Sequence, residues 1–312
     1  MTQFKERDLI KHLRYTLPND KKVSIGDDCA VHEISENRWG LFTTDIAVEK
    51  VHFDLTYSSP YSIGIKTMES NLSDIAAMGG QPKYAFVSIV IPHYCNKSFI
   101  DELYRGFNDS ALPKKTYIAG GDLSKGTNLI INICLYGETE LPPVLRSGAQ
   151  EDDNIYLTGF TGLSSAGLEL LQKKNIGDYP ALTQKHNEPK ARLDIIDIIM
   201  SYKPTAMIDI SDSLGSEINH ICDESNCGCI IKTENIPRHD ELLKYCDTFH
   251  KDITPYLFSS GEEYELLFTS SSSIIHEDIT CIGQITKKDR ILYKNGEAST
   301  LPSEGFQHFF GS

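Results

Sequence analysis

At four places in this chain a short apolar run stops on aspartate. Asp27 and Asp28 follow "SIG", Asp45 ends "WGLFTTD", Asp122 follows "TYIAGG", and Asp209 and Asp212 follow "PTAMI". Hydroxyls flank two of these sites, Thr43 and Thr44 before Asp45, and Ser211 between Asp209 and Asp212. Each run has the composition of a strand, so the fold must carry carboxylates at several strand ends. Taken singly, such an aspartate is usually a solvated group or a cap. If the ends converge, however, several carboxylates share one cleft. Two of them about 4 Å apart repel by roughly 4 kcal/mol at an effective dielectric of ~20. Protonation relieves this, and a hard divalent cation with oxygen ligands relieves it better. Magnesium favours a few carboxylates plus substrate phosphates, so the pattern suggests a nucleotide-phosphate site.

Asp74 differs, because it stands inside the helical segment "ESNLSDIAAMGG". Aspartate is a poor helix-interior residue. Asn71, one turn earlier on nearly the same face, makes with it a polar pair in need of a partner.

Strands are expected near 21–25, 29–34, 39–46, 83–91, 115–119 and 128–136, and helices from about Pro60 to Met78 and from about Lys97 to Leu112. Pro60 and Gly79-Gly80 punctuate the first helix as start and stop. The polar stretch 137–154 divides the chain into expected domains of residues 1–140 and 141–312. The second half reads as a strand at 154–158, a helix near 162–172, a polar loop, a helix at 190–202, a strand at 205–210, a helix near 213–224 and a strand at 228–233. Strands near 264–269, 279–285 and 290–294 close it. Strands and helices mixed in both halves indicate an α/β (mixed α+β) layered fold.

The net charge of −14 argues against nucleic acid as a partner. No apolar run approaches the ~20 residues that span a bilayer. The opening "MTQFKERDLIKHLRYTL" reads as an amphipathic helix and not a targeting peptide, so no membrane partner and a cytoplasmic location are expected. Eight cysteines are scattered without a C-x-x-C pair, although Cys222, Cys227 and Cys229 lie near one another; buried free thiols are expected rather than zinc. Familiar nucleotide motifs do not fit. In "GDLSKGT" the lysine precedes the glycine and a strand follows, which is not a phosphate loop opening a helix.

Seven motifs in order carry a resemblance: "IGDDCAV" (25–31), "TTDIAVEKVHF" (43–53), "NLSDIAAMGGQP" (71–82), "GGDLSKG" (120–126), "LTGFTGLSSAGLELL" (157–171), "IDISDSLGSEINHI" (208–221) and "SGEEYELLF" (260–268). Together they resemble the thiamine-monophosphate kinases, of the ATP-binding superfamily that includes aminoimidazole ribonucleotide synthetase. The resemblance implies an N-terminal α/β domain whose strands form a barrel in a homodimer, a C-terminal α/β domain, and ATP held at their junction through several Mg²⁺ ions. Carried over residue by residue, Asp28, Thr43, Thr44, Asp45, Asp74, Asp122, Asp209 and Asp212 resemble the magnesium shell. Gly121, Asp122, Arg146 and Ser211 resemble ATP contacts, while His52, Glu262 and Phe306 resemble contacts to thiamine monophosphate. Ser213 stands where the family often has glycine, and Glu262-Glu263 where Glu-Asp or Asp-Asp is commoner.

The implied reaction is direct in-line transfer from ATP to the phosphate of thiamine monophosphate, giving thiamine diphosphate. A phosphate monoester with a second pKa near ~6 is largely ionised at neutral pH, so no general base is assigned. The rival readings are a sibling synthetase of the same superfamily and a non-catalytic nucleotide- or divalent-cation-binding protein.

Overall fold

The computed structural model describes residues 6–16, 25–174 and 177–302. After helix α1 (Glu6–Thr16), a first sheet is built from β1 (Ala30–Ser35), β2 (Arg38–Val48), β3 (Gln81–Pro92), β4 (Tyr117–Gly126) and β5 (Ile130–Thr139). Helix α2 (Pro60–Ala77) links β2 to β3, and α3 (Lys97–Ala111) links β3 to β4. The order across the sheet is β1-β2-β5-β3-β4. Neighbours are antiparallel except β3 and β4, whose parallel pairing needs the crossover that α3 supplies.

Local signals explain α2. Ser59 caps it, its Oγ accepting from Ser62 N at 3.1 Å, and Pro60 opens the first turn. The helix meets α3 backbone to backbone: a Cβ on Gly64 would stand 2.3 Å from Leu103 O, and one on Gly106 2.1 Å from Tyr61 O. Met68, Leu72 and Ile75 of α2 then join Leu41, Val87, Ile131, Ile133 and Leu135 of the sheet's inner face in one core.

Among the described residues of the single chain, nothing covers the outer face of this sheet. Phe42, Tyr136, Tyr84 and Tyr117 stand in register across β2, β5, β3 and β4. Phe42, Tyr84 and Tyr117 are exposed, as are Phe86 and Ile46 in the rows beyond. The sheet is open, with β1 and β4 as its edges.

The second half comprises β6 (Asn154–Thr158), α4 (Leu163–Gln172), α5 (Pro180–Asn187), α6 (Ile196–Ser201), β7 (Ala206–Asp209), α7 (Leu214–Glu224), β8 (Gly228–Lys232), α8 (Asp240–Phe249), α9 (Thr254–Ser259), β9 (Leu266–Ser270), β10 (Ile279–Thr286), β11 (Arg290–Lys294) and β12 (Glu297–Thr300). Its sheet runs β12-β11-β8-β10-β6-β9-β7, with Leu157, Ile208, Ile218, Ile231 and Leu267 in the main core. A smaller cluster joins the halves: Ala76 and Ala77, ending α2, pack with Tyr156, Ile199, Met207 and Phe268. The last turn of α2 is thereby wedged against β7.

Four expectations are corrected here. The strand expected at 115–119 does not stop at its glycines; β4 continues through Gly120, Gly121 and Asp122 to Gly126. Gly121, at φ +152°, lies so close to β3 that a Cβ would stand 1.8 Å from Val87 O, so the glycine lets the strand continue. The polar loop holds α5, opened by Pro180. The helix expected over 190–202 shrinks to α6. Helices α8 and α9 and strand β12 had no counterpart in the expectations. All but Ile25 of the strand expected at 21–25 lies outside the described residues, as does Phe306.

Candidate active site

Asp74 occupies its unfavourable helical position because β2 supplies partners. Thr43 Oγ1 donates to Asp74 Oδ2 in a short hydrogen bond, and Asp45 N donates to Asn71 Oδ1 at 3.2 Å. From α2 in the other direction, Ser73 Oγ donates to Asp209 Oδ2 at 2.6 Å. The helix thus ties the end of β2 to the end of β7. Asp28, in the turn before β1, completes the group. One carboxylate oxygen from each of Asp28, Asp74 and Asp209 lies within 4.8 Å of the others.

The adjacent Asp27 and Asp28 point to different tasks. Asp27 Oδ1 accepts from Arg146 N at 2.7 Å, while the Arg146 guanidinium grips Asp28 Oδ1, with Nε at 3.2 Å and Nη2 closer. Arg146 offsets part of the repulsion that two neighbouring acids create. The rest shows in the protonation of the acids around them. Burial, then repulsion from Asp45, Asp209 and Asp28, holds the Asp74 carboxyl well above its ordinary range. Burial first and Asp28 second push Asp209 up to about 8. Asp45 is raised by burial, with Asp28 adding to it and a hydrogen bond from Ser70 opposing it.

Asp28 Oδ2 is buried and has no hydrogen-bond partner among the described residues. A buried carboxylate with one oxygen unpaired and two more carboxylates beside it is a costly arrangement for a protein alone. It is the oxygen-rich donor set that suits a hard divalent cation.

These acids lie at one end of a cleft of about 880 Å³ between the two halves, which Thr43, Thr44, Asp45, Arg146, Ser211 and Asp212 also line. Thr44 also turns to the sheet's outer side, its Oγ1 accepting from Asn132 Nδ2 at 2.9 Å. The far end holds His52, Tyr57, Lys66, His186 and Glu262. His52 Nδ1 accepts from Val48 N at 2.9 Å, so the neutral ring carries its proton on Nε2. Lys66 Nζ donates to Glu262 Oε2 at 2.8 Å. The 261–264 loop is fastened to the end of β7 by Glu262 N donating to Ser211 O at 2.6 Å and Tyr264 N to Ile210 O at 2.9 Å. Gly261 permits this closeness, since a Cβ there would stand 2.7 Å from Asp212 O.

Gly121 and Asp122 do not line the cleft. Asp122 is exposed on β4, in register with Ser88, Asn132 and Ile46, about 14 Å across three strand spacings from β2. Two charged cleft residues had gone unnoticed in the sequence. Lys66 shares a stripe at i, i+4 and i+8 with Ser70 and Asp74, a spacing that could have revealed it. Glu217 is buried on the apolar face of α7, between Leu214 and Ile221. Its Oε1 accepts from Asp212 N at 3.2 Å, and burial and Asp212 hold its carboxyl well above the ordinary range.

Residues 26–139 match the family model described as AIR synthase related protein, N-terminal domain. With the two-sheet architecture and its acid-lined cleft, this defines a mixed α/β protein of the AIR-synthase-like class. Among solved structures, one described as AaThiL complexed with AMPPCP and TMP superposes with a TM-score of 0.89 at 34% identity, over 98% of this chain and 97% of that one. Among curated proteins, the thiamine-monophosphate kinase of Aquifex aeolicus is 35% identical over 97% of this chain and 98% of its own length. That of Bacillus subtilis is 33% identical over 92% and 93%. The chain belongs to the thiamine-monophosphate kinase family.

Proposed function

We propose that this chain transfers the γ-phosphoryl group of ATP to thiamine monophosphate, giving thiamine diphosphate and ADP, with Mg²⁺ ions as cofactors. The observation that carries the reading is the meeting of Asp28, Asp74 and Asp209, from separate elements, at one end of a cleft whose other end offers His52, Tyr57 and Glu262. We assign magnesium to Asp28, Thr43, Thr44, Asp45, Asp74, Asp209 and Asp212, and ATP contacts to Arg146 and Ser211. Gly121 and Asp122 are assigned to ATP and a further cation on the open side of the first sheet. His52, Glu262 and Phe306 are assigned to the thiamine monophosphate.

Bound magnesium supplies the screening that lets two polyanions approach. The chain's own contribution is positioning. The Arg146 guanidinium brings positive charge to the acidic end, and the Nε2–H of His52 is a donor suited to a phosphate oxygen. Glu262 is an anion suited to the thiazolium. No residue is needed to remove a proton, because the accepting phosphate, with a second pKa near ~6, is already largely ionised.

The uncovered row of Phe42, Tyr136, Tyr84 and Tyr117 supports pairing of two copies through their first sheets into a barrel, since an open apolar face of this kind marks an interaction site. Residues 1–140 would form the metal-binding and dimerising domain and 141–312 the second α/β domain. Among the described residues no helix is long and apolar enough to cross a membrane, and the use of ATP suits a cytoplasmic location. The test is incubation with ATP, Mg²⁺ and thiamine monophosphate, followed by chromatography. Equal amounts of thiamine diphosphate and ADP are expected; ADP with free phosphate overturns the assignment in favour of a synthetase-type reaction.

A further inference from the structure

Lys66 is an unusual residue for the middle of a helix packed on nearly every side, being only 6% exposed. Burying an ammonium without partners is strongly unfavourable. Its Nζ donates to His52 O at 3.1 Å and to Glu262 Oε2 at 2.8 Å, which leaves one of its three N–H donors. Lys66 also lines the cleft, where among the described residues Arg146 is the other lysine or arginine and is already engaged by Asp28. The neighbouring His186 Nδ1, 3.9 Å from Glu262 Oε2, adds no charge, because burial and the Lys66 cation push its pKa down to about 2.

The pair is held rigidly. Glu262 adopts φ +55°, in the left-handed region disfavoured for residues with a side chain. The backbone bond from its N to Ser211 O holds it there. Along α2, Lys66 and Asp74 are eight residues apart, about 12 Å, with Ser70 between them on the cleft wall. A ligand phosphate placed between Lys66 and the acidic end meets a fixed cation on the side away from Asp74.

We infer that Lys66 is the residue that distinguishes phosphorylated from free thiamine. Paired with Glu262, it forms a fixed charge couple that reads the substrate as a zwitterion, with the ammonium toward the accepting phosphate and the carboxylate toward the thiazolium. The substrate then enters with its phosphate directed to the Asp74 end of the cleft. This rests on the function proposed above and adds a determinant of its selectivity.

Calorimetric titration of the full chain in Mg²⁺, with thiamine monophosphate and thiamine as separate probes, tests it. The wild-type protein is expected to bind thiamine monophosphate roughly 10- to 100-fold more tightly than thiamine, the range of a buried charge-assisted contact. Lys66→Met should weaken thiamine monophosphate by about that factor while thiamine affinity stays within about threefold. Lys66→Arg should recover part of the loss, and the KM for ATP should hold. Equal weakening of both probes by Lys66→Met overturns the inference and leaves Lys66 as a brace for Glu262. Should Lys66→Met fail to fold, Glu262→Gln decides: loss for both probes by one factor is expected, and loss confined to thiamine monophosphate overturns it. A wild-type protein that binds neither probe refutes the proposed function instead.

Discussion

The Ser73 hydroxyl donates to Asp209 Oδ2 at 2.6 Å, joining the last turn of α2 to the end of β7 out of reach of water. Ser73 is 0% and Asp209 1% exposed. The bond crosses between the two halves and aims one of the three clustered carboxylates. Ser73→Ala removes a donor from a site that solvent does not enter, so a loss of about 1–2 kcal/mol is expected. Urea denaturation measures it; an unchanged midpoint would mean that Asp209 finds another donor.

Asp45 and Asp122 offer a sharper contrast, because one lines the cleft and the other stands across the sheet from it. Asp45→Asn keeps the side-chain shape and removes a charge that burial already disfavours. The fold should survive, while turnover falls by about 100-fold or more through loss of electrostatic stabilisation. Asp122→Asn is expected to lower turnover as well, by a route independent of the Asp28–Asp74–Asp209 group. Wild-type turnover of Asp45→Asn at saturating magnesium defeats the shared-metal reading. The same result for Asp122→Asn alone overturns only the assignment of a further cation to that residue.

The acid cluster also sets a pH dependence. Asp209 is raised to about 8 by burial and Asp28, against about 3.9 in an unfolded chain. Between those values the folded protein binds more protons than the unfolded one, so stability is fully present at low pH and is lost as pH rises through about 8. Asp74 and Asp45 shift in the same direction. Magnesium binds the ionised carboxylates and so acts against this slope. In EDTA the thermal midpoint should be higher at pH 5.5 than at pH 8, and magnesium should narrow the gap. Equal midpoints in EDTA would show that the carboxylates remain ionised in the metal-free fold.

The strand-end acids were legible in the sequence because the same pattern, an apolar run stopping on aspartate, repeats at independent positions. Their facing was less so. Thr43 and Thr44 are adjacent, and a strand sends neighbours to opposite faces; Thr43 reaches Asp74 while Thr44 accepts from Asn132 of β5 on the sheet's outer side. Asp122 read as a strand end because two glycines precede it. The reason for Gly121 lies in the backbone of Val87 on another strand, which no local pattern reports. Helix α5 was hidden by its polar, proline-led sequence, although Ser58 and Ser62 reach Asn187 and Glu188 at 2.7 Å and fix where it ends. Lys66 was hidden for a related reason, since its partner Glu262 lies in the other half of the chain.

Phe86 stands near the middle of the open face of the first sheet, one row from Tyr84 and Tyr136, whose rings stack with centroids 6.5 Å apart. Its ring is exposed in the single chain, yet its neighbours across β5 and β4 are Cys134 and Gly120 rather than charged groups. A face of this kind gains by meeting its own copy, and a charge buried at its centre without a partner opposes that meeting. Phe86→Glu should therefore raise the dimer dissociation constant by about 100-fold or more while leaving the monomer folded, because the side chain points away from the core that α2 covers. Sedimentation velocity across a concentration series distinguishes the outcomes. A wild-type chain that sediments as a monomer at micromolar concentration, or a Phe86→Glu chain that dimerises as tightly as wild type, places the pairing surface elsewhere.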